Sequence, residues 1–350
     1  MDTVNQLTND YAGCMTQIRI VVTEQNHTAM ARRAAVELAQ SSGMDETTVG
    51  HIALLVTELA TNLVKHATKG ELLIRMIGNG ETEGVEILSL DGGPGIADVG
   101  RSLDDGYSTA GSPGTGLGAV MRTASEFDLY SQQGKGTAVV ARLVTQRQRK
   151  SVVSKQAVGV VHQPVQGESI SGDAWVVRDF ADGSICGVVD GLGHGRIAAE
   201  AAAPIIETVR TVQQAMNPVA LIEAAHQAAR PTRGAAFGVA VIEGEAGKVR
   251  FAGIGNVAAV VVDGDRRRHL VSYSGILGQG YHKVAEFTHP WSPTAALVLH
   301  SDGIATHWDL GQYPGLAARD PSLIAGVLYR DFTRGRDDAT VIVVKNKKQE

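Results

Sequence analysis

At 350 residues, 43% of them hydrophobic and 20% charged, the chain is long enough for two domains that each bury a core. A formal net charge of −5 gives no electrostatic reason to expect nucleic acid or an anionic membrane as partner. Two cysteines far apart (Cys14 and Cys186) argue against a disulfide scaffold and for a reducing, cytoplasmic setting; the N-terminus lacks signal-peptide blocks, and no unbroken apolar run approaches the ~18 residues of a spanning helix.

The first 145 residues read as an α/β mixture. An Ala-rich amphipathic helix is expected over 27–40. Asp45 is a good N-cap for a second helix reaching His66, with Ile52, Leu55, Leu59 and Leu63 at helical spacing. Strand-like runs follow at 71–77, 84–90 and 137–144, with a helix expected over 117–126. The second helix carries Glu58, Asn62 and His66 one turn apart on a single face. A carboxylate and an amide so placed can hold a cation and position a hydroxyl, or can simply be a solvated face.

Three glycine-rich segments come next. "LSLDGGPGIAD" puts Asp91 at a strand end, followed by Gly93 and Gly95. "GSPGTGLGAV" puts Gly114, Thr115, Gly116 and Gly118 at a helix start, where unpaired N–H groups and the helix dipole favour an anion. "GKGTAVV" brings Thr137 to the opening of a strand. No P-loop pattern occurs.

In this order the four motifs resemble the GHKL-type ATP-binding fold over about residues 15–144. The likeness is greatest to the small switch serine kinases of bacterial sigma-factor regulation, of the stressosome type. The resemblance implies that Asn62 holds Mg²⁺ on ATP, that Asp91 accepts the adenine amino group, and that Gly114 to Gly118 cradle phosphates. It further implies Glu58 as general base and Thr137 as a contact to the base. His66 is either a ligand-side residue or a helix-terminal histidine favoured by the dipole.

The segment 145–156 is polar and basic and reads as a surface linker. Beyond it strands dominate, at 157–162, 173–180, 184–190, 235–243, 248–256, 257–263, 295–302 and 339–345. Helices are expected over 196–216, 218–229 and 321–332, a pattern fitting two stacked sheets flanked by helices. Asp173 opens one strand, Asp190 and Asp302 end two others and precede glycine, and Asp337 and Asp338 precede the last. Carboxylates converging from distant strand ends suit two hard cations, Mg²⁺ or Mn²⁺, and a following glycine lets a carbonyl such as that of Gly191 approach.

This half is similar to the SpoIIE-like branch of the metal-dependent (PPM-type) serine/threonine protein phosphatases, over about 157–345. "DGLGHG" and "GIGN" bring it near the stressosome feedback phosphatases. The resemblance implies that Asp190 and the Gly191 carbonyl bind two ions, with Asp302, Asp337 and Asp173 completing the set, and that activated water attacks phosphorus in line. Asp337 is preferred to Asp338 because the family's ligand stands two residues before the small residue, here Ala339. His194 is open between an acid and a substrate contact, and His162 is a weak candidate to hold phosphate.

The expected architecture is α/β (α+β), a GHKL (Bergerat) sandwich at 1–144 and a PPM-type α-β-β-α sandwich at 157–350 around the linker 145–156. The expected function is dephosphorylation of a regulatory protein of the STAS, anti-sigma-antagonist type, joined to an ATP-binding serine/threonine kinase. The rival is a phosphatase whose first half binds ATP and sequesters a partner without phosphate transfer. A homo-oligomer stays open.

Overall fold

The computed structural model describes residues 9–13, 17–78, 82–103, 116–146 and 154–347. In the first half, β1 (Asn9–Gly13) and β2 (Ile18–Val22) precede α1 (Gln25–Ser41), α2 (Glu46–His66), β3 (Gly70–Gly78) and β4 (Thr82–Leu90). After them come α3 (Val99–Leu103), α4 (Gly116–Thr123), β5 (Glu126–Gln132) and β6 (Gly136–Gln146). The Asp45 carboxylate caps α2 by accepting the Thr48 N–H at 3.0 Å. By length and composition α2 is apolar enough to cross a membrane. Its buried stripe, Ile52, Leu55, Leu59 and Leu63, instead packs with α1 on one face of a five-stranded antiparallel sheet ordered β2-β3-β4-β6-β5.

The second half begins with β7 (Gln156–Gln163), β8 (Asp173–Phe180), β9 (Gly183–Gly191), α5 (Gly195–Thr211) and α6 (Pro218–Ala229). Strands β10 (Ala235–Glu243), β11 (Lys248–Ile254), β12 (Ala258–Asp263) and β13 (Arg266–Leu270) lead to a small hairpin, β14 (Gly275–Ile276) with β15 (Gly280–Tyr281). Then come β16 (Phe287–Pro290), β17 (Ala296–His300), α7 (Pro321–Phe332) and β18 (Ala339–Asn346). One sheet runs β1-β8-β9-β10-β11-β16 and the other β13-β12-β17-β18-β7. Their facing sides interdigitate Trp175, Val188, Phe251, Leu297 and Ile342. Helices α5 and α6 cover the outer side of the first sheet through Ile205, Leu221 and Ile222.

Helix α7 covers the outer side of the second sheet, and it covers the first half's sheet as well. Leu323, Ile324, Val327 and Leu328 are fully buried in one cluster with Leu73, Leu88 and Val140 on one side and Val161, Val298 and Val341 on the other. Burial of side chains this size stabilises by roughly 1.5–3 kcal/mol each before entropy is counted. The layers therefore run helix, sheet, helix, sheet, sheet, helix.

A row of charges crosses the first half's sheet on the α7 side. Arg75 pairs in register with Glu86, Glu86 with Arg142, and Arg142 with Glu126. Glu86 is buried between Arg75 (2.7 Å) and Arg142 (2.8 Å). Arg142 reaches on to Asp320, the N-cap of α7, at 2.7 and 2.8 Å, and Ser322 Oγ donates to Glu86 at 2.7 Å. Burial alone would raise the Glu86 carboxyl, but the two guanidinium groups outweigh it and hold the pKa at about 2.

Other expectations need adjusting. The helix expected over 117–126 ends at Thr123, and Glu126 opens β5, which the sequence reading missed. Of the segment 145–156, Thr145 and Gln146 continue β6, Ser154 and Gln156 are buried, and 147–153 lies outside the described residues. Strand β1 adds to the second half's sheet, against β8.

Candidate active sites

The first site is a cleft of about 540 Å³ between α2, the Asp91–Asp98 segment, the start of α4 and β6. Helical spacing sets Glu58 and Asn62 on the same face of α2. A Cβ on Gly116 would stand 3.1 Å from Asn62 Oδ1 and 3.4 Å from Glu58 Oε2, so the first residue of α4 meets both side chains. Asn62 Nδ2 is buried with no hydrogen-bond partner among the described residues. A buried amide in that state is costly unless a ligand satisfies it, so the cleft fits a polar, oxygen-rich ligand with its cation.

Asp91 stands where β4 ends. Its N–H donates to the Thr137 carbonyl (3.0 Å), and one carboxylate oxygen accepts the Gly93 N–H (2.6 Å). Burial raises its pKa against that bond. Gly136, at φ +85°, has no room for a Cβ beside the Asp91 carbonyl, and Gly95 is likewise left-handed at φ +75°. The buried Thr137 hydroxyl shares a 3.0 Å hydrogen bond with Ser131. Gly118 is buried in α4, while Gly114 and Thr115 lie outside the described residues. His66 lines the cleft from the last turn of α2, so it is both helix-terminal and ligand-side.

The second site is assembled by strand register. Asp173 and Asp190 stand directly opposite on β8 and β9. Gly191, whose Cβ would collide with the Ala198 carbonyl, follows at the turn into α5. Asp302 follows β17, and Asp337 and Asp338 precede the neighbouring β18. Three of the carboxylates have a neighbouring donor as support. Ser301 Oγ donates to Asp173 (2.6 Å), Asn256 Nδ2 to Asp302 (2.7 Å), and the Asp338 N–H to Asp337 (2.9 Å).

Burial, then the charges of Asp302, Asp337 and Asp338, push Asp190 up to about 7. Burial and the facing Asp190 push Asp173 well up, and burial with Asp337 raises Asp302. Among the described residues no three Asp, Glu, His or Cys side chains are already gathered around one point. The donor set is nonetheless all oxygen and mutually repelling, which fits hard divalent cations. Asp338 is buried and accepts the Val165 (2.7 Å) and Gly172 (2.6 Å) N–H groups, which makes it the brace of the 164–172 loop and leaves Asp337 the more accessible of the two.

Sequence reasoning missed Asn256, Ser301 and Glu168. Asn256 lay in the quoted "GIGN" without a role, and Ser301 immediately precedes Asp302. His194 Nδ1 pairs with Glu168 at 2.9 Å, at the N-cap of α5. His162 is a poor phosphate holder: desolvation lowers its pKa to about 4, and its Nδ1 faces Thr340 at 2.8 Å. Cys186 is fully buried, and burial raises its thiol pKa, which leaves it as packing.

Two family models match the chain: the histidine kinase-like ATPase domain over residues 21–143, and stage II sporulation protein E (SpoIIE) over residues 182–347. Serine/threonine-protein kinase RsbT of Bacillus subtilis is 35% identical over 111 residues, which cover 32% of this chain and 84% of that protein. The first half belongs to the histidine kinase-like ATPase family, and the second half matches the SpoIIE model. Phosphoserine phosphatase RsbX of Bacillus subtilis is 27% identical over 184 residues, which cover 51% of this chain and 88% of that protein. A solved chain described under "The bacterial stressosome: a modular system that has been adapted to control secondary messenger signaling" is 26% identical with a TM-score of 0.51. It matches 55% of this chain and 100% of its own length. The expected fold, a GHKL-like half followed by a PPM-like half, is borne out.

Proposed function

We propose that the SpoIIE half removes phosphate from phosphoserine or phosphothreonine on a cytoplasmic regulatory protein of the STAS type, and that the ATPase half phosphorylates a protein of the same pathway. The observation that carries the first part is the convergence of Asp173, Asp190, Asp302 and Asp337 from separate strand ends, with burial and then mutual repulsion raising three of them.

In this reading Asp190, Asp302, Asp337 and Asp173 would hold two divalent cations, with the Gly191 carbonyl contributing a further oxygen. Two bound divalent cations supply Lewis acidity that makes water nucleophilic near neutral pH and neutralises phosphoryl oxygens. The protein's own share is positioning: Ser301 and Asn256 fix two of the carboxylates, and Asp338 fixes the loop beside them. In the ATPase half, Asn62 Oδ1 holds the cation that accompanies ATP. Asp91 accepts the adenine amino group, and Gly93, Gly95 and Gly136 shape the turns around it. Backbone amides from Gly114 to Gly118 face phosphates, while Glu58 accepts the proton of the attacking hydroxyl.

The first experiment is hydrolysis of an aryl phosphate with Mn²⁺ and with chelator, on wild type and Asp190→Ala. Turnover that needs Mn²⁺ and vanishes in the folded variant supports the assignment; turnover retained in Asp190→Ala removes it. Transfer of labelled γ-phosphate to a STAS protein, with Asn62→Ala as control, separates a kinase from a module that binds ATP and a partner without transfer.

A further inference from the structure

Asp91 is reached from the other half of the chain. Arg330, in the last turn of α7, donates from Nη1 to the Asp91 carbonyl at 2.8 Å. Its side chain is 8% exposed, and its other nitrogens grip Asp331 at 2.7 and 2.8 Å. Asp331 also accepts the Tyr313 hydroxyl at 2.8 Å. Lys135, from the turn that ends at Gly136, lies 4.4 Å over the Tyr313 ring and donates to the Gln312 carbonyl at 3.0 Å. Both turns at the Asp91 end of the cleft are thus braced by residues of the SpoIIE half.

The same turn of α7 is stitched to the carboxylate site. Ala305 N–H donates to the Phe332 carbonyl (2.9 Å) and Arg334 N–H to the Gly303 carbonyl (2.8 Å). Gly303 follows Asp302 directly, and the chain reaches Asp337 three residues after Arg334. One helix end therefore touches the backbone of Asp91 and, within four residues, the backbone beside Asp302.

We propose that Arg330 is a positioning residue of the nucleotide cleft, supplied by the SpoIIE half, and that through it nucleotide and divalent-cation binding strengthen each other. The inference rests on the reading above of which ligand each site takes. A guanidinium with three fixed bonds sets the plane of the Asp91 peptide, and with it the direction of the Asp91 carboxylate. A nucleotide that orders this turn also holds Arg330, hence the last turn of α7 and the 303–305 segment. Cations that order Asp302 and Asp337 do the reverse, and linkage makes the two effects equal.

The test uses the full chain as wild type, Arg330→Ala and Arg330→Lys. Affinity for a non-hydrolysable ATP analogue is measured calorimetrically at fixed Mg²⁺. The Mn²⁺ concentration for half-maximal aryl phosphate hydrolysis is then measured with and without the analogue. We expect Arg330→Ala to weaken the analogue about tenfold and Arg330→Lys, which keeps one donor, to recover most of that loss. In wild type the analogue should lower the Mn²⁺ requirement about fivefold, and Arg330→Ala should erase the shift. Unchanged analogue affinity in Arg330→Ala, or a Mn²⁺ shift that survives it, overturns the inference while leaving both site readings intact. Wild type that binds no analogue overturns the cleft reading and the inference together. Unfolding curves identify a variant that fails to fold, and the Mn²⁺ shift in wild type and Arg330→Lys then decides.

Discussion

Glu86 has almost no contact with water, and its carboxylate is shared by Arg75, Arg142 and Ser322. A carboxyl held at about 2, against an ordinary 4.5, contributes on the order of 3 kcal/mol. Its folded pKa is depressed, so the contribution is complete above about pH 4.5 and is lost as pH falls toward 2. Glu86→Gln leaves two guanidinium groups buried without their shared anion and should cost about 3 kcal/mol at pH 7 in urea unfolding. The variant should also lose stability less steeply than wild type between pH 4.5 and 2; parallel curves would show that the row of charges is not the acid-sensitive element. Asp190 is the opposite case, a carboxylate facing Asp173 across a strand pair, where like charges repel. Asp190→Asn should raise the cation-free Tm at pH 8 by about 2–4 °C and abolish the further rise that Mn²⁺ gives wild type. An equal Mn²⁺ gain in both proteins, read by calorimetric scanning, would place the cations elsewhere.

Among elements, α7 shows how differently two glycines can act. Gly326 faces the side-chain ends of Leu88 and Leu90, which can swing aside, so Gly326→Ala should change stability by less than about 1 kcal/mol. Gly159 of β7 meets the backbone of Pro321 and Ser322, which cannot move without shifting the helix. Gly159→Ala should cost about 2 kcal/mol or more, measured by the same urea titration; near-neutral behaviour would mean that α7 slides freely. The motifs legible in sequence were those whose geometry is local, such as Asp91, Asp190 and Asp302 at the ends of apolar runs before glycine. Their supports were not legible, because Asn256, Ser301 and Arg330 meet their partners across 46, 128 and 239 residues. Strand β5 was hidden by its composition: "EFDLYSQ" is an edge strand with only Leu129 and Tyr130 buried. The unbroken Leu72-Leu73-Ile74 run did carry a signal, since a strand covered on both faces has no reason to alternate. Leu72 and Ile74 face α2, and Leu73 faces α7.

At the scale of the molecule, the two halves are joined by a continuous core rather than by segment 145–156 alone. Hydrogen exchange should therefore find the slowest amides of α2 and β18 opening with the same free energy. A separate, lower value for α2 would mean that the ATPase half unfolds by itself. The placement of α7 also bears on synthesis. The ATPase half is fully translated once β6 is made, yet the helix that covers its second face begins some 175 residues later. At roughly 5–20 residues per second the growing chain spends about 10–35 s with Leu73, Leu88 and Leu90 uncovered. Over that interval the nascent protein is a client for whatever binds exposed leucines at the ribosome exit, and the arrival of α7 releases it.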